Sequence, residues 1–306
     1  MNPCLRAVVR TAISRGGEVI GVRQGFEGLL RGDMLPLRAR DVGGILQRGG
    51  TILHTARSTE LLQDSGQRKA VEVIGRAGIE GLVIIGGDGS MRGAHALAQH
   101  GVAVVAVPAS IDNDIWGTNM ALGVDTALNT IMDAIDKLRD TASSHRRAFL
   151  IETMGRNCGY LAVMAGVICG AELILIPERE SSLEEIGRAI EDAYDRGKTH
   201  AIVIVAEGAH QNVQEVSARL NAAQVGFDTR VTILGHVQRG GSPSAFDRML
   251  ATRMGVAAVE ALMSGRAGTM VGLSGREISS LPLAEVAGRA RQANLEYLEM
   301  ARMLAR

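Results

Sequence analysis

Two short apolar runs constrain this chain more than anything else in it. Gly81-Leu82-Val83-Ile84-Ile85 leads into Gly86-Gly87-Asp88-Gly89-Ser90, and Val102-Ala103-Val104-Val105-Ala106-Val107 leads into Ser110-Ile111-Asp112-Asn113-Asp114. Apolar runs of this length without alternation read as strands buried on both faces, and the helix-like stretch between them makes the pair parallel. Asp88, Asp112 and Asp114 then stand at the carboxyl edge of one sheet, where open α/β folds bind ligands. Glycines let backbone N–H groups approach a phosphate closely, and carboxylates hold Mg²⁺ or take a proton. The pattern points to phosphoryl transfer. A plain strand-to-helix turn also uses Gly-Asp-Gly, and an Asx-turn also uses Asp112, so each loop alone leaves that alternative open.

The rest of the chain repeats the alternation. Helical spacing runs over 2–12, 42–47, 66–78, 122–138, 183–194, 245–262 and 283–304. Strands are predicted at 18–22, 51–53, 148–151, 173–176, 200–206 and 231–234. Asn2-Pro3 reads as an N-cap with proline at the first helical position. Strand and helix in alternation give an α/β class with parallel sheets. A start on a helix is unusual for it.

With 306 residues the chain has length for two domains, at roughly 150 residues each. Apolar residues make up 46% and aromatics 3%, so aliphatic side chains fill the core. A net charge of +0 argues against a general nucleic-acid surface. Cys4, Cys158 and Cys169 are too scattered for a disulfide framework or a zinc site. No signal peptide or 18-residue apolar stretch is visible, so a cytoplasmic protein without a membrane partner is expected.

Basic residues gather at strand ends. Arg147 precedes one strand and Arg156 follows it; Arg230 precedes another, and His236-Val237-Gln238-Arg239-Gly240-Gly241 follows it. Several fixed Arg donors suit a phosphate dianion on a sugar, whereas a single Arg is usually solvated surface charge. Glu207 at a strand terminus could bind sugar hydroxyls, or could simply bond within its loop.

Together these motifs resemble the ATP-dependent 6-phosphofructokinases. The similarity runs from about residue 2 to at least 262. Its motifs are Gly86–Ser90, Ser110–Asp114, Arg139-Asp140-Thr141-Ala142-Ser143-Ser144-His145, Met154-Gly155-Arg156, and Gly235-His236-Val237-Gln238-Arg239-Gly240-Gly241-Ser242-Pro243. The resemblance implies two similar three-layer α/β domains, mainly parallel, with the active site in their cleft. Residues 1–122 with 236–285 would form the larger, nucleotide-binding domain, and 123–235 with 286–306 the smaller, sugar-phosphate domain. It also implies that fructose 6-phosphate is phosphorylated at its 1-hydroxyl by ATP–Mg²⁺ in glycolysis. Carried over residue by residue, Asp112 is the base, Arg156 steadies the transferring phosphoryl group, and Ser110 supports them. Asp88 is the Mg²⁺ ligand, and Arg57, Gly87, Gly89 and Ser90 contact nucleotide. Ser110, Asp112, Met154, Gly155, Arg156, Glu207, His236 and Arg239 match sugar-phosphate contacts. Arg147 and Arg230 match residues that reach a neighbouring subunit's site in a homotetramer.

Two positions bear on the phosphoryl donor, and three departures bear on the rest of this expectation. Pyrophosphate-dependent relatives commonly carry Asp where Gly89 stands and Lys where Ala109 stands, so both positions favour ATP. Ser110 replaces the usual Thr and keeps the hydroxyl. Met1-Asn2 aligns with the end of the family's Gly-Gly-Asp-x-Pro-Gly-x-Asn loop, and a version extended upstream is expected to be more stable, with a lower KM for ATP. Arg6, Arg10, Arg139, Gly170, Glu172, Arg196 and Lys198 fit the family's effector site for ADP or phosphoenolpyruvate; residues 38–44 fit it poorly. The alternatives are a pyrophosphate-dependent enzyme and a catalytically weak regulatory homologue.

Overall fold

The computed structural model describes every residue except Arg146, Gln224, Val225 and Arg306, and gives residues 142–145 by backbone alone. The side chains at the end of the 139–145 motif therefore lie outside the described residues. In chain order the first half holds α1 (Asn2–Ser14), β1 (Ile20–Val22), α2 (Gly25–Arg31), β2 (Met34–Pro36), α3 (Asp64–Arg76), β3 (Leu82–Gly86), α4 (Asp88–Gln99), β4 (Val104–Pro108), α5 (Val124–His145) and β5 (Arg147–Thr153). The second holds α6 (Tyr160–Cys169), β6 (Leu173–Leu175), α7 (Leu183–Asp195), β7 (Ala201–Ala206), α8 (Val213–Ala223), β8 (Asp228–Ile233), α9 (Ala245–Met263), β9 (Thr269–Ser274), β10 (Glu277–Pro282), α10 (Leu283–Val286) and α11 (Leu295–Leu304).

The chain forms two compact units. The first comprises Met1–Ser110, Ile115–Gly123 and Ser242–Ala290; the second comprises Ile111–Asp114, Val124–Gly241 and Arg291–Arg306. The first unit has a sheet in the order β10-β9-β4-β3, parallel except for β10, and a separate antiparallel β1-β2 ribbon. All five residues of β4 are buried, which is why its sequence shows no polar alternation. Val105 and Val107 pack with Cys4 and Val8 of α1 and with Leu250, Met254 and Ala258 of α9. The pleat turns Val104 and Ala106 to the opposite face, and α4 packs on β4 as well.

The second unit holds an all-parallel sheet in the order β6-β7-β5-β8. β7 is buried along its whole length. On one face Leu150, Val203 and Val205 meet Ile186 and Ile190 of α7 and Val216 and Leu220 of α8. Helices α5 and α6 pack on the same sheet. Ser182 starts α7 by accepting the Glu185 N–H at 3.1 Å, and Ser244 starts α9 by accepting the Asp247 N–H at 3.1 Å.

Several local expectations need correction. Asn2 is not an N-cap: its side chain donates to the Arg48 and Gly49 carbonyls and accepts the Ile52 N–H at 2.8 Å, so it pins the 48–52 loop to α1. Residues 42–47 form turns rather than a helix, and 51–53 form no strand. The 283–304 helix is two helices, because Gly288 takes φ +84° and Asn294 caps α11 through the Glu296 N–H at 2.9 Å. By compactness, residues 236–241 and Ile111–Asp114 cluster with the second unit, and Gly123 and 286–290 with the first, where Ala290 bridges Ile115.

Candidate active site

The glycine loop of the first unit follows from its neighbours. β3 ends at Gly86, where a Cβ would lie 2.2 Å from Ser90 Oγ, so Ser90 folds back over a position only glycine can fill. Gly87 is the N-cap of α4, and Asp88 opens the helix, a place where the helix dipole favours anions. The Ala109 N–H donates to the Gly86 carbonyl at 2.8 Å, which lays the 109–110 segment beside the loop. A Cβ at Gly89 would meet nothing within 4 Å, so packing does not require glycine there. The Asp88 carboxylate pairs with Arg92 at 2.6 Å, one helical turn on. Both side chains are substantially exposed, so the pair contributes at most about 1 kcal/mol and opens readily. Arg57 stands exposed in the loop before the 3₁₀ turn Glu60–Leu62.

The second unit gathers the expected chemistry around Asp112. This residue is 4% exposed, and its Oδ2 lies 3.3 Å from Arg156 Nε. Burial pushes the Asp112 carboxyl above the usual carboxylate range, and the charge of Asp114 adds to it; Arg156 pulls it back, Glu207 raises it, and Arg239 lowers it. A buried carboxyl with a raised pKa, held beside a cation, has the properties of a general base.

Arg156 itself is held by its backbone. It takes φ +52°, and Gly155 takes φ +149°. A Cβ on Gly155 would lie 2.5 Å from the Cys158 carbonyl oxygen, so the turn excludes any side chain there. Glu207 Oε1 accepts the N–H of Gly155 at 3.1 Å and that of Arg156 at 2.7 Å. Gly208 packs against the Arg156 carbonyl, and a Cβ there would lie 2.0 Å from it. Glu207 is thus a clamp on the Met154–Arg156 loop: it bonds as a loop residue does, but to another loop and not within its own. Met154 is buried, whereas His236 and Arg239 are exposed in the 3₁₀ turn Gly235–Arg239. Arg147 opens β5, and Arg230 is exposed on β8, paired with Asp228 at 2.5 Å.

The basic set expected for an effector divides between the units. Arg6 and Arg10 lie on α1 of the first. In the second, Arg139 donates to the Cys169 carbonyl beside Gly170, and Lys198 pairs with Glu172 at 3.2 Å. Arg196 and Lys198 both donate to the Ala305 carbonyl, at 3.3 and 3.0 Å.

Among the described residues no group of three or more His, Cys, Asp or Glu side chains is arranged to hold a metal ion. Mg²⁺ that arrives with a nucleotide needs only one or two protein carboxylates, because phosphate oxygens and water complete its shell. Asp88, partly exposed at a helix N-terminus, fits that role and does not fit a resident protein-caged ion. Among the described residues no helix is long and apolar enough to cross a membrane.

A buried carboxylate paired with an arginine in one unit, and a glycine-rich helix start in the other, are each features of phosphoryl-transfer chemistry. Comparison with known proteins is more specific. The family model for phosphofructokinase matches residues 1–262. The ATP-dependent 6-phosphofructokinase of Thermotoga neapolitana is 50% identical over 306 residues, covering all of this chain and 95% of that protein. ATP-dependent 6-phosphofructokinase 1 of Thermus thermophilus is 49% identical over the same span. Phosphofructokinase from Pichia pastoris in its T-state superposes with a TM-score of 0.90 at 36% identity, over 94% of this chain and 34% of that one. A pyrophosphate-dependent phosphofructokinase from Marinobacter aquaeolei shares the fold, with a TM-score of 0.84 at 20% identity over 98% of this chain and 87% of that one. This chain belongs to the phosphofructokinase family.

Proposed function

We propose that this chain transfers the γ-phosphoryl group of ATP to the 1-hydroxyl of fructose 6-phosphate, giving fructose 1,6-bisphosphate and ADP in glycolysis. The observation that carries the reading is buried Asp112 held 3.3 Å from Arg156. Asp112 accepts the hydroxyl proton as the sugar oxygen attacks phosphorus. Arg156 stabilises the charge that develops on the transferring group, an effect that is strong where water is excluded. The Gly87–Ser90 loop and the start of α4 receive the donor's phosphates, with Arg57 as a further nucleotide contact. Mg²⁺, when bound with ATP at Asp88, neutralises donor charge. Ser110, Met154, Gly155, Glu207, His236 and Arg239 shape the sugar-phosphate side. The setting is cytoplasmic, and the family likeness assigns Arg6, Arg10, Arg139, Gly170, Glu172, Arg196 and Lys198 to an effector site for ADP or phosphoenolpyruvate that different subunits build together.

Open space at Gly89 supports ATP over pyrophosphate, because packing gives no other reason for glycine there. Gly89→Asp is expected to raise the KM for ATP at least about tenfold by placing a like charge against the donor, while the KM for fructose 6-phosphate stays within about twofold. Steady-state titration of each substrate reads this. An unchanged KM for ATP would show that the loop does not meet the nucleotide.

We infer a homotetramer in which Arg147 and Arg230 complete a neighbour's sugar-phosphate site. The exposed Arg230–Asp228 pair costs little to open for that purpose. Mixing an inactive Asp112→Ser chain with an inactive Arg230→Ser chain should restore activity, since a hybrid interface holds one intact site. No recovery despite verified hybrids would exclude sharing.

A further inference from the structure

Gln238 is 1% exposed in a turn whose neighbours His236, Val237 and Arg239 all face solvent. Its carboxamide is used at both ends. Oε1 accepts the Met154 N–H at 3.3 Å, and Nε2 donates to the Gly235 carbonyl at 3.1 Å. Met154 begins the loop that Glu207 holds through the Gly155 and Arg156 N–H groups. Three successive amides of that loop therefore end on acceptors from two other segments, and the loop carries Arg156 in a left-handed conformation beside Asp112.

We propose that Gln238 is a positioning residue for the sugar-phosphate site. It ties the His236–Arg239 turn to the Met154–Arg156 loop, so both sets of phosphate and sugar donors are held in one register. The inference rests on the functional reading above, because the register matters only if both loops meet one substrate.

The chemistry requires an amide in particular. One end must accept from a backbone N–H while the other donates to a backbone carbonyl. Leucine would fill the space and leave both backbone groups unpaired in a buried position, where such groups are costly. An ionised carboxylate would still accept from Met154 but would face the Gly235 carbonyl oxygen with no proton. A protonated carboxyl has one acceptor and one donor, and so restores both bonds.

This gives a test that separates positioning from mere structural support. Gln238→Leu is expected to raise the KM for fructose 6-phosphate about 10- to 100-fold, the scale of a small misplacement of binding groups, with the KM for ATP within about twofold of wild type. Gln238→Glu, which nearly preserves volume, should show a similar rise at pH 8. As pH falls toward 6 its KM, taken as a ratio to wild type at each pH, should return toward one. Burial and the charge of Glu207, clamped on the same loop, favour protonation of the introduced carboxyl as pH falls, while His236, Arg239 and Arg156 on the two joined loops oppose it. Circular dichroism at each pH confirms that the variants are folded.

A KM ratio for Gln238→Glu that stays flat with pH, or an unchanged KM in both variants, would overturn the proposal. A fall in melting temperature alone, with wild-type KM values, would also overturn it and leave Gln238 a structural residue. If Gln238→Leu fails to fold, the pH series on Gln238→Glu decides the matter alone. Failure of the wild-type chain to turn over fructose 6-phosphate in the same assay would instead strike the functional reading.

Discussion

Asp112→Ser should lower kcat by about 10²–10⁴-fold, the usual contribution of a placed general base, and leave fructose 6-phosphate affinity little changed. The variant should not lose stability. Burial raises the Asp112 pKa in the folded state, so the fold prefers the protonated carboxyl and opposes the ionised one. That penalty is present at pH values above the folded-state pKa and absent below the ordinary carboxylate range. Removing the carboxyl should therefore give an equal or higher melting temperature at pH 7, with the difference vanishing in acid. Single-turnover kinetics and thermal melts at two pH values check both halves. Near-normal turnover would remove Asp112 from the mechanism.

Arg156→Ala is expected to lower kcat by about 10²–10³-fold, the range for losing one fixed donor to developing charge. A second effect follows from the same contact. Arg156 pulls the Asp112 pKa down, so its loss leaves burial and Asp114 less opposed. The acid limb of the kcat/KM profile rises through the Asp112 pKa, and in the variant that limb should move to higher pH. Arg156→Lys keeps the charge but not the planar fork, and should restore the limb's position more fully than the rate. A profile that does not move would show that the Asp112–Arg156 contact is absent in solution.

Two strands buried on both faces were legible in the sequence, whereas β9, buried from Met270 to Leu273, was not read. β4 and β7 are uninterrupted apolar runs, and the loops that follow them carry the chemistry. Helix α6 was missed for a related reason: it is buried on most sides, so its sequence shows no polar stripe to set a period. The 42–53 segment misled because its apolar residues fill the core beneath α1 from turns rather than from a helix face. Val42 and Ile45 are buried there with Leu5, Val9 and Leu37.

The candidate site was legible as residue types and not as architecture. Asp88, Asp112 and Arg156 announced themselves by motif. The clamp by Glu207, the amide of Gln238 and the left-handed turn at Arg156 did not. Each depends on a backbone group more than 50 positions away or on a φ value that sequence does not encode for a non-glycine residue. Gly208 is the one signal that could have pointed there: a glycine directly after a strand-terminal glutamate marks a close approach of another backbone. The Asp88–Arg92 pair was also predictable from i, i+4 spacing on a helix.

The most direct test of the central claim is turnover of the purified chain with fructose 6-phosphate and Mg²⁺, offered either ATP or pyrophosphate as donor. The account predicts fructose 1,6-bisphosphate and ADP in equal amounts from ATP, and no product from pyrophosphate at matched concentration. Product from pyrophosphate alone, or binding of fructose 6-phosphate by calorimetry without turnover from either donor, would contradict it.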